Sequence, residues 1–155
     1  MRKANKMDID KIAQIRIKQQ NEVWEDEDVD KYNLLKITKV YLEEHLNNDF
    51  YAFIEETDND IIAICCLQVI EYLPQCNDNG KKGYLCNVYT SDEFRNKGIQ
   101  TNLLRKVINF AKENNLKEEV INSSLTLPGI GYMKEGNSLR IILDIDPKQH
   151  DSFMI

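Results

Sequence analysis

The sequence is short of the residues that build metal sites and membrane spans. Its four cysteines, at positions 65, 66, 76 and 86, form no CxxC pair, and only His45 and His150 could join them. Tetrahedral zinc sites use four such ligands at close spacings, so we expect no metal. The longest apolar run, IIAICCLQVI, is interrupted by Gln68 and is shorter than the roughly 18 residues that cross a bilayer. No apolar segment follows the basic start MRKANKMD, so we predict a cytoplasmic protein without a signal peptide or membrane span.

Positive charge is also in the minority. The chain has 20 Lys and Arg against 26 Asp and Glu, a net charge of −6. Proteins that bind nucleic acid carry a basic surface, so we expect no nucleic-acid partner. The 155 residues, 42% of them hydrophobic, suffice for one domain with a core and are too few for two. We predict one domain over residues 1–146 and an irregular tail over residues 147–155.

Hydrophobic periodicity predicts elements in the order β-α-α-β-β-β-α-β-α-β. The predicted strands are residues 1–4, 50–56, 61–73, 83–91, 116–124 and 138–146, and the predicted helices are residues 7–23, 32–46, 98–115 and a short, weak one within 127–137. Asp8 is the predicted N-cap of the first helix. Hairpin-linked strands pair antiparallel, while a helical crossover favours one parallel pair. The predicted fold class is therefore α+β, with a mixed, mostly antiparallel sheet and helices on both faces.

The segment TSDEFRNKGIQTNLLRKV, residues 90–107, has the features of an anion site. It joins the end of a strand to the start of a helix, where backbone N–H groups lack partners and the helix dipole is positive. Gly98 lets a ligand approach the backbone, and Arg95 and Lys97 add positive charge. The segment is neither a P-loop nor a Rossmann fingerprint. A tight turn with solvated Arg95 and Lys97 would explain the same residues, so both interpretations stay open at this point.

A longer stretch resembles a known motif. VYTSDEFRNKGIQTNLLRKVINFA, residues 88–111, is similar to the pattern V-x-P-x-x-R-x-x-G-x-G/A with its following helix, which is the acyl-CoA-binding motif of the GNAT N-acetyltransferases. IGYMKEGN, residues 130–137, resembles that family's later tyrosine segment, with Tyr132 and Gly136 at its tyrosine and glycine. The resemblance covers nearly the whole chain, most firmly residues 83–137.

The chain departs from the family pattern at several positions. Gln100 stands where the family has glycine or alanine, Asp92 where it has proline, and Asn137 where it has phenylalanine. The stretch PGIG, residues 128–131, loosens the tyrosine segment. A Gln100 side chain that pointed into the loop would block a bound pyrophosphate.

The resemblance implies roles for two groups of residues around acetyl-CoA. The loop amides would hold the coenzyme A pyrophosphate, and they belong to Arg95, Asn96, Lys97, Gly98, Ile99, Gln100 and Thr101. The strand residues Val88, Tyr89 and Thr90 would splay from the strand at 117–124, bond the pantetheine arm in the gap and supply an amide for the oxyanion.

Two further residues are candidates for proton transfer. Tyr132 matches the family's general acid beside the coenzyme A sulfur, although an aromatic residue that packs on the sheet would look the same. Glu71 ends a strand near the presumed cleft and is a candidate base, or else a solvated carboxylate. We expect Cys86 to be a packed strand cysteine rather than a nucleophile, and His45 to be a core histidine with its polar atoms satisfied.

The resulting interpretation is an N-acetyltransferase that passes an acetyl group from acetyl-CoA to a primary amine of a small molecule, peptide or protein in a ternary complex. The alternative is a non-catalytic acyl-CoA sensor of the same fold, and a third is an unrelated α+β interaction domain. The acidic run at residues 25–30, flanked by Trp24 and Tyr32, either attracts a cationic amine or is simply solvated. A homodimer through the last strand or the tail stays open.

Overall fold

The structure, a computed structural model, describes residues 1–23, 30–58, 60–74, 76, 79–116, 118–121, 132–135 and 138–142. The strands are β1 (Arg2–Lys3), β2 (Phe50–Thr57), β3 (Asp60–Glu71), β4 (Lys81–Thr90), β5 (Glu118–Ile121), β6 (Tyr132–Glu135) and β7 (Ser138–Ile142). The helices are α1 (Ile9–Val23), α2 (Lys31–His45) and α3 (Ile99–Glu113).

Within these residues the strands form one sheet in the order β1-β2-β3-β4-β5-β7-β6. All neighbours pair antiparallel except β4 and β5, which pair parallel from Gly83 opposite Glu119 to Leu85 opposite Ile121. A parallel pair needs a crossover, and α3 supplies it. The predicted fold class, a mixed and mostly antiparallel sheet with helices on both faces, is confirmed.

Apolar side chains cover both faces of the sheet. On one face α3 packs Leu103, Leu104 and Val107 into a cluster with Cys65 and Leu85. On the other face α1 and α2 bury their apolar sides in a second cluster, which includes Ile12, Ile15, Leu42, Ile64 and Cys66. Successive strand residues face opposite sides, so the adjacent Cys65 and Cys66 separate as predicted. In the described part of the chain, no helix combines the length and apolarity needed to cross a membrane.

The predicted helix within 127–137 is wrong where the structure describes it. Residues 132–135 form β6, which pairs antiparallel with β7 from Tyr132 opposite Ile141 to Glu135 opposite Ser138. Only Gly136 and Asn137 separate the paired ends, and a Gly-Asn dipeptide between two runs is a signal for a two-residue hairpin. Residues 127–131, like the predicted tail at 147–155, lie outside the described residues.

The predicted N-cap of the first helix is also wrong. A 3₁₀ turn at Lys6–Asp8 precedes α1, and Asn5 caps it by accepting a hydrogen bond from the Met7 amide at 2.9 Å. The Asp8 carboxylate instead accepts the Asn5 amide at 2.8 Å and both Arg2 terminal nitrogens at 2.8 Å. Asp8 is therefore a buried carboxylate that ties β1 to the start of α1.

We expect the Arg2–Asp8 pair to make the free energy of unfolding fall at acidic pH. The Arg2 guanidinium holds the pKa of Asp8 below its ordinary value of 3.8. The pair therefore stabilises the fold fully above about pH 4, and the contribution is lost as pH falls through the lower, folded pKa. Asp8→Asn should lose about 1–3 kcal/mol at pH 7 and show a shallower decline in acid, measured by urea unfolding. Asp10→Asn is the control, since Asp10 pairs with Lys39 at the surface. An Asp8→Asn decline as steep as that of the wild type would contradict this role.

Candidate functional site

The loop between β4 and α3 turns twice through left-handed backbone. Asn96 has φ of 62° and Gly98 has φ of 73°, and α3 begins at the next residue, Ile99. Asparagine tolerates this conformation and glycine adopts it without strain. A Cβ placed on Gly98 would meet no atom within 4 Å, so open space faces the start of the helix.

Backbone donors are concentrated at this loop. Among the residues that the structure describes, none accepts a hydrogen bond from the N–H groups of residues 96–101. The first bond of the helix runs from the Asn102 amide to the Gly98 carbonyl at 3.1 Å. Free N–H groups at the positive end of a helix dipole form an anion site, and those groups here adjoin open space.

The two basic side chains of the loop differ in their contacts. Arg95 pairs with Asp92 at 2.7 Å and donates to the Thr90 carbonyl at 2.9 Å, so it braces the loop against the end of β4. Asp92, which replaces the proline of the acyl-CoA motif, supplies one of these anchors. Lys97 places its ammonium 5.0 Å from the Phe94 ring centre. The interpretation of Arg95 as a merely solvated side chain is therefore wrong.

The Gln100 side chain turns toward the end of β4. The Thr90 hydroxyl donates to its amide oxygen at 2.9 Å, while its Nε2 is buried without a hydrogen-bond partner in the described part of the chain. An unsatisfied buried donor costs about 1–3 kcal/mol, which a ligand acceptor would recover. Gln100 thus adds an unused donor between β4 and α3.

A bulge interrupts β4 just before these residues. Cys66 lies opposite Cys86 and Ile64 opposite Tyr89, so β4 has one residue more than β3 in this interval. Asn87 absorbs the extra residue with φ of 49°. Bulges re-aim side chains, and this one directs Asn87 toward α1, where its Oδ1 accepts a hydrogen bond from Arg16 at 2.8 Å.

The end of β4 extends past its described pairing with β5. The described pairing of β4 with β5 ends at Leu85 opposite Ile121, while β4 continues to Thr90. Val88, Tyr89 and Thr90 therefore lie on the strand segment that leads directly into the donor-rich loop. The structure brings together all of the strand and loop residues that the acyl-CoA motif indicates.

A cavity of about 380 Å³ lies on the other side of the bulge, between α1, α2 and the sheet. Its apolar walls include Ile12, Ile15, Ile37, Phe50 and Ile64. Polar side chains also line it, namely Arg16, Gln19, Thr38, Tyr41 and Asn87. Sequence reasoning missed this cavity, although Arg16 on the apolar side of α1 was a signal.

The two candidates for proton transfer lie elsewhere. Glu71 ends β3 opposite Lys81, with which it pairs at 3.2 Å. At about 3.3 Å per residue, this pair lies roughly 20 Å along β4 from Val88, so Glu71 does not reach the bulge. Tyr132 begins the edge strand β6, separated from β4 by β5 and β7. Tyr132 as general acid stays a prediction.

Other expectations met mixed outcomes. Cys86 packs against the α1–α2 cluster, and burial raises the pKa of its thiol to about 12, as expected for a structural cysteine. His45 has a partner, the Asp49 carboxylate at 2.7 Å, but its side chain is 33% exposed rather than in the core. Tyr32 is exposed, and Asp30 caps α2 through the Asn33 amide at 3.0 Å. Trp24 and residues 25–29 lie outside the described residues.

Comparison with known proteins identifies the family. The model of the acetyltransferase (GNAT) family matches residues 9–127, which include β4, the loop and α3. The chain belongs to the GNAT acetyltransferase family. No curated protein sequence matches this GNAT chain significantly.

Solved structures agree with this assignment. A predicted acetyltransferase from Clostridium acetobutylicum, crystallised with acetyl-CoA, is 33% identical over 76% of each chain, with a TM-score of 0.68. A GNAT acetyltransferase from Staphylococcus aureus is 17% identical over 92% of this chain and 97% of that one, with a TM-score of 0.64. An aminoglycoside 6'-N-acetyltransferase from Acinetobacter haemolyticus shares the fold at 17% identity, a TM-score of 0.57, and coverage of 80% and 79%.

Proposed function

We propose that this GNAT protein transfers an acetyl group from acetyl-CoA to a primary amine of a small molecule, peptide or protein within a ternary complex. The observation that carries the proposal is the cluster of N–H groups at residues 96–101, which have no acceptor among the described residues and directly follow the end of β4. The acetyl-CoA bound to the Clostridium acetobutylicum relative supports the same co-substrate.

The described residues fit this co-substrate. In the proposal, the amides of residues 96–101 hold the pyrophosphate, for which the space above Gly98 is open. The Gln100 Nε2 donor has no acceptor among the described residues, so in the proposal an oxygen of the coenzyme would satisfy it. The N–H groups of Val88 and Thr90 bond the pantetheine arm, and one of them stabilises the developing oxyanion, while Tyr89 between them pairs with Ile64 of β3.

The transfer itself needs no covalent bond to the enzyme. The amine nitrogen attacks the thioester carbonyl carbon, so that a C–N bond forms and the C–S bond breaks. An ammonium acceptor gives up two protons, of which one ends on the coenzyme A sulfur and the other in solvent. The protonated Cys86 thiol takes no part in these steps.

Tyr132 is the candidate donor of the proton to sulfur. Tyr132→Phe should then lower kcat by about 100-fold, a typical contribution of general acid catalysis, while the Kd for acetyl-CoA stays the same. Steady-state kinetics and calorimetry measure the two quantities. Unchanged turnover would mean that solvent, rather than Tyr132, donates this proton. The position of Tyr132 on the edge strand β6 would agree with that outcome.

One experiment separates this proposal from a non-catalytic sensor. Release of free thiol from acetyl-CoA would be measured over a panel of amines, alongside direct binding of acetyl-CoA. Binding with turnover of at least one amine is expected. Binding without turnover on any amine would favour the sensor, and absence of binding would overturn both functions.

A further inference from the structure

Arg16 lines the cavity between α1, α2 and the sheet and has no anionic partner among the described residues. Its Nη1 donates to the Gln19 Oε1 at 3.0 Å and to the Asn87 Oδ1 at 2.8 Å, and both acceptors are neutral. No described carboxylate pairs with Arg16. Arg2 and Arg95, by contrast, each bind a carboxylate of the protein.

Burial makes this arrangement costly. Desolvation lowers the pKa of Arg16, yet a guanidinium stays charged at neutral pH. A partly desolvated charge destabilises a fold unless an anion compensates it. The Nε and Nη2 donors of Arg16 have no partner among the described residues. The edge of the guanidinium that carries these two donors is therefore available to a carboxylate.

The surroundings of Arg16 suit a small apolar group. Ile12, Ile15 and Phe50 form the inner walls of the cavity, and Ile37, which is 53% exposed, lies at its mouth. A volume of about 380 Å³ is at the low end of the range for small-molecule sites, about 300–1,000 Å³. The cavity thus combines a cation with apolar walls and an opening to solvent.

One side chain links Arg16 to the proposed reaction centre. The amide of Gln19 accepts from Arg16 at 3.0 Å and donates through Nε2 to the Val88 carbonyl at 3.3 Å. Only the side-chain amide of Gln19 therefore separates the Arg16 guanidinium from the Val88 carbonyl. In the proposed function, the thioester lies against this segment of β4. A ligand whose carboxylate binds Arg16 has its neighbouring atoms only a few ångströms from that strand.

We propose that the acceptor is a small α-amino acid with an apolar side chain, whose carboxylate binds Arg16. This inference rests on the proposed function and names its substrate class. The side chain occupies the apolar part of the cavity, and the α-amine, one carbon from the carboxylate, faces Val88. The amine forms the C–N bond as the C–S bond breaks, and the carboxylate is unchanged.

Matched acceptors test the proposal directly. The probes are free apolar amino acids, such as leucine, and the corresponding amides, such as leucinamide, assayed by thiol release. The wild type should favour the free acid by about 10- to 100-fold in kcat/KM, the worth of a hydrogen-bonded charge pair. Arg16→Gln should reduce this preference to about unity by slowing the free acid alone, since the amide makes no ion pair.

The variants distinguish recognition from a structural role. In Arg16→Gln, the glutamine retains an N–H donor for Asn87. The variant Arg16→Lys keeps the positive charge and should restore part of the preference for the free acid. Arg105→Gln removes an exposed arginine and is the control. A loss of fold in Arg16→Gln, detected by urea unfolding, would slow the acid and the amide alike and leave their ratio unchanged.

Two outcomes would overturn the inference while the proposed function stands. One is equal turnover of acids and amides by the wild type, and the other is turnover of different amines with none of the apolar amino acids accepted. An unchanged preference in a folded Arg16→Gln variant would also overturn it. Failure to bind acetyl-CoA would instead count against the proposed function itself.

Discussion

The substitution Gly98→Ala is expected to weaken acetyl-CoA binding by about 10- to 100-fold while the protein stays folded. A methyl group at this position projects into the open space beside the N–H groups of residues 96–101, which have no acceptor in the described part of the chain. A pyrophosphate displaced from these donors loses at least one hydrogen bond to a charged group, worth about 1.5–3 kcal/mol. Each 1.4 kcal/mol is roughly a tenfold change in Kd, which gives the stated range.

The same substitution also lowers the free energy of unfolding, by a smaller amount. Alanine in left-handed backbone is less stable than glycine by roughly 1–2 kcal/mol, and Gly98 has φ of 73°. Calorimetry with acetyl-CoA and urea unfolding measure the two effects independently. If folded Gly98→Ala bound acetyl-CoA with an unchanged Kd, the proposal that this loop binds the pyrophosphate would be wrong.

Gly80→Ala is the matched control. Gly80 has φ of 72° and precedes β4 at the end remote from the loop. Its added Cβ would lie 2.5 Å from the Tyr72 carbonyl oxygen, so this variant should lose more stability than Gly98→Ala. Its Kd for acetyl-CoA should nevertheless match that of the wild type at a temperature where both are folded.

The strand and loop part of the candidate site was predictable because its signals are local. A strand, a left-handed glycine and an amphipathic helix follow one another within residues 83–115, and the motif fixes their order. In the proposed site backbone N–H groups would carry the binding, so a change of side chain would alter the site little. Gln100 shows the limit of such reasoning, because its bond to Thr90 depends on where β4 ends in space.

The rest of the site depends on contacts between distant segments. Arg16 meets Asn87 only because a bulge turns that side chain toward α1, and no spacing in the sequence reports a bulge at an asparagine. Glu71 lies far from the bulge because its register with Lys81 places it beside the opposite end of β4. At residues 132–135 the predicted helix is wrong, because strand β6 pairs there with β7, a contact that helical periodicity does not report.

Leu85→Ala should cause the largest loss of stability among the changes considered. Leu85 is fully buried, contacts the α3 side of the core and ends the described pairing of β4 with β5. Truncating a buried leucine costs about 2–5 kcal/mol, through lost burial and the cavity left behind. Stable domains have only about 5–15 kcal/mol in total, so the variant should unfold at clearly lower urea concentration.

Leu73→Ala is the control for this core substitution, because Leu73 is 86% exposed just after β3 and its truncation should change stability by less than about 0.5 kcal/mol. Leu85 lies three residues before Val88 but faces α3, so its loss leaves the loop amides in place. The folded Leu85→Ala protein should therefore bind acetyl-CoA with nearly the wild-type Kd. A large loss of affinity at a temperature where the variant is folded would show that α3 shifts on the sheet and carries the start of the helix with it. The same unfolding midpoint as the wild type would mean that the α3 face of the sheet is packed differently from the arrangement described.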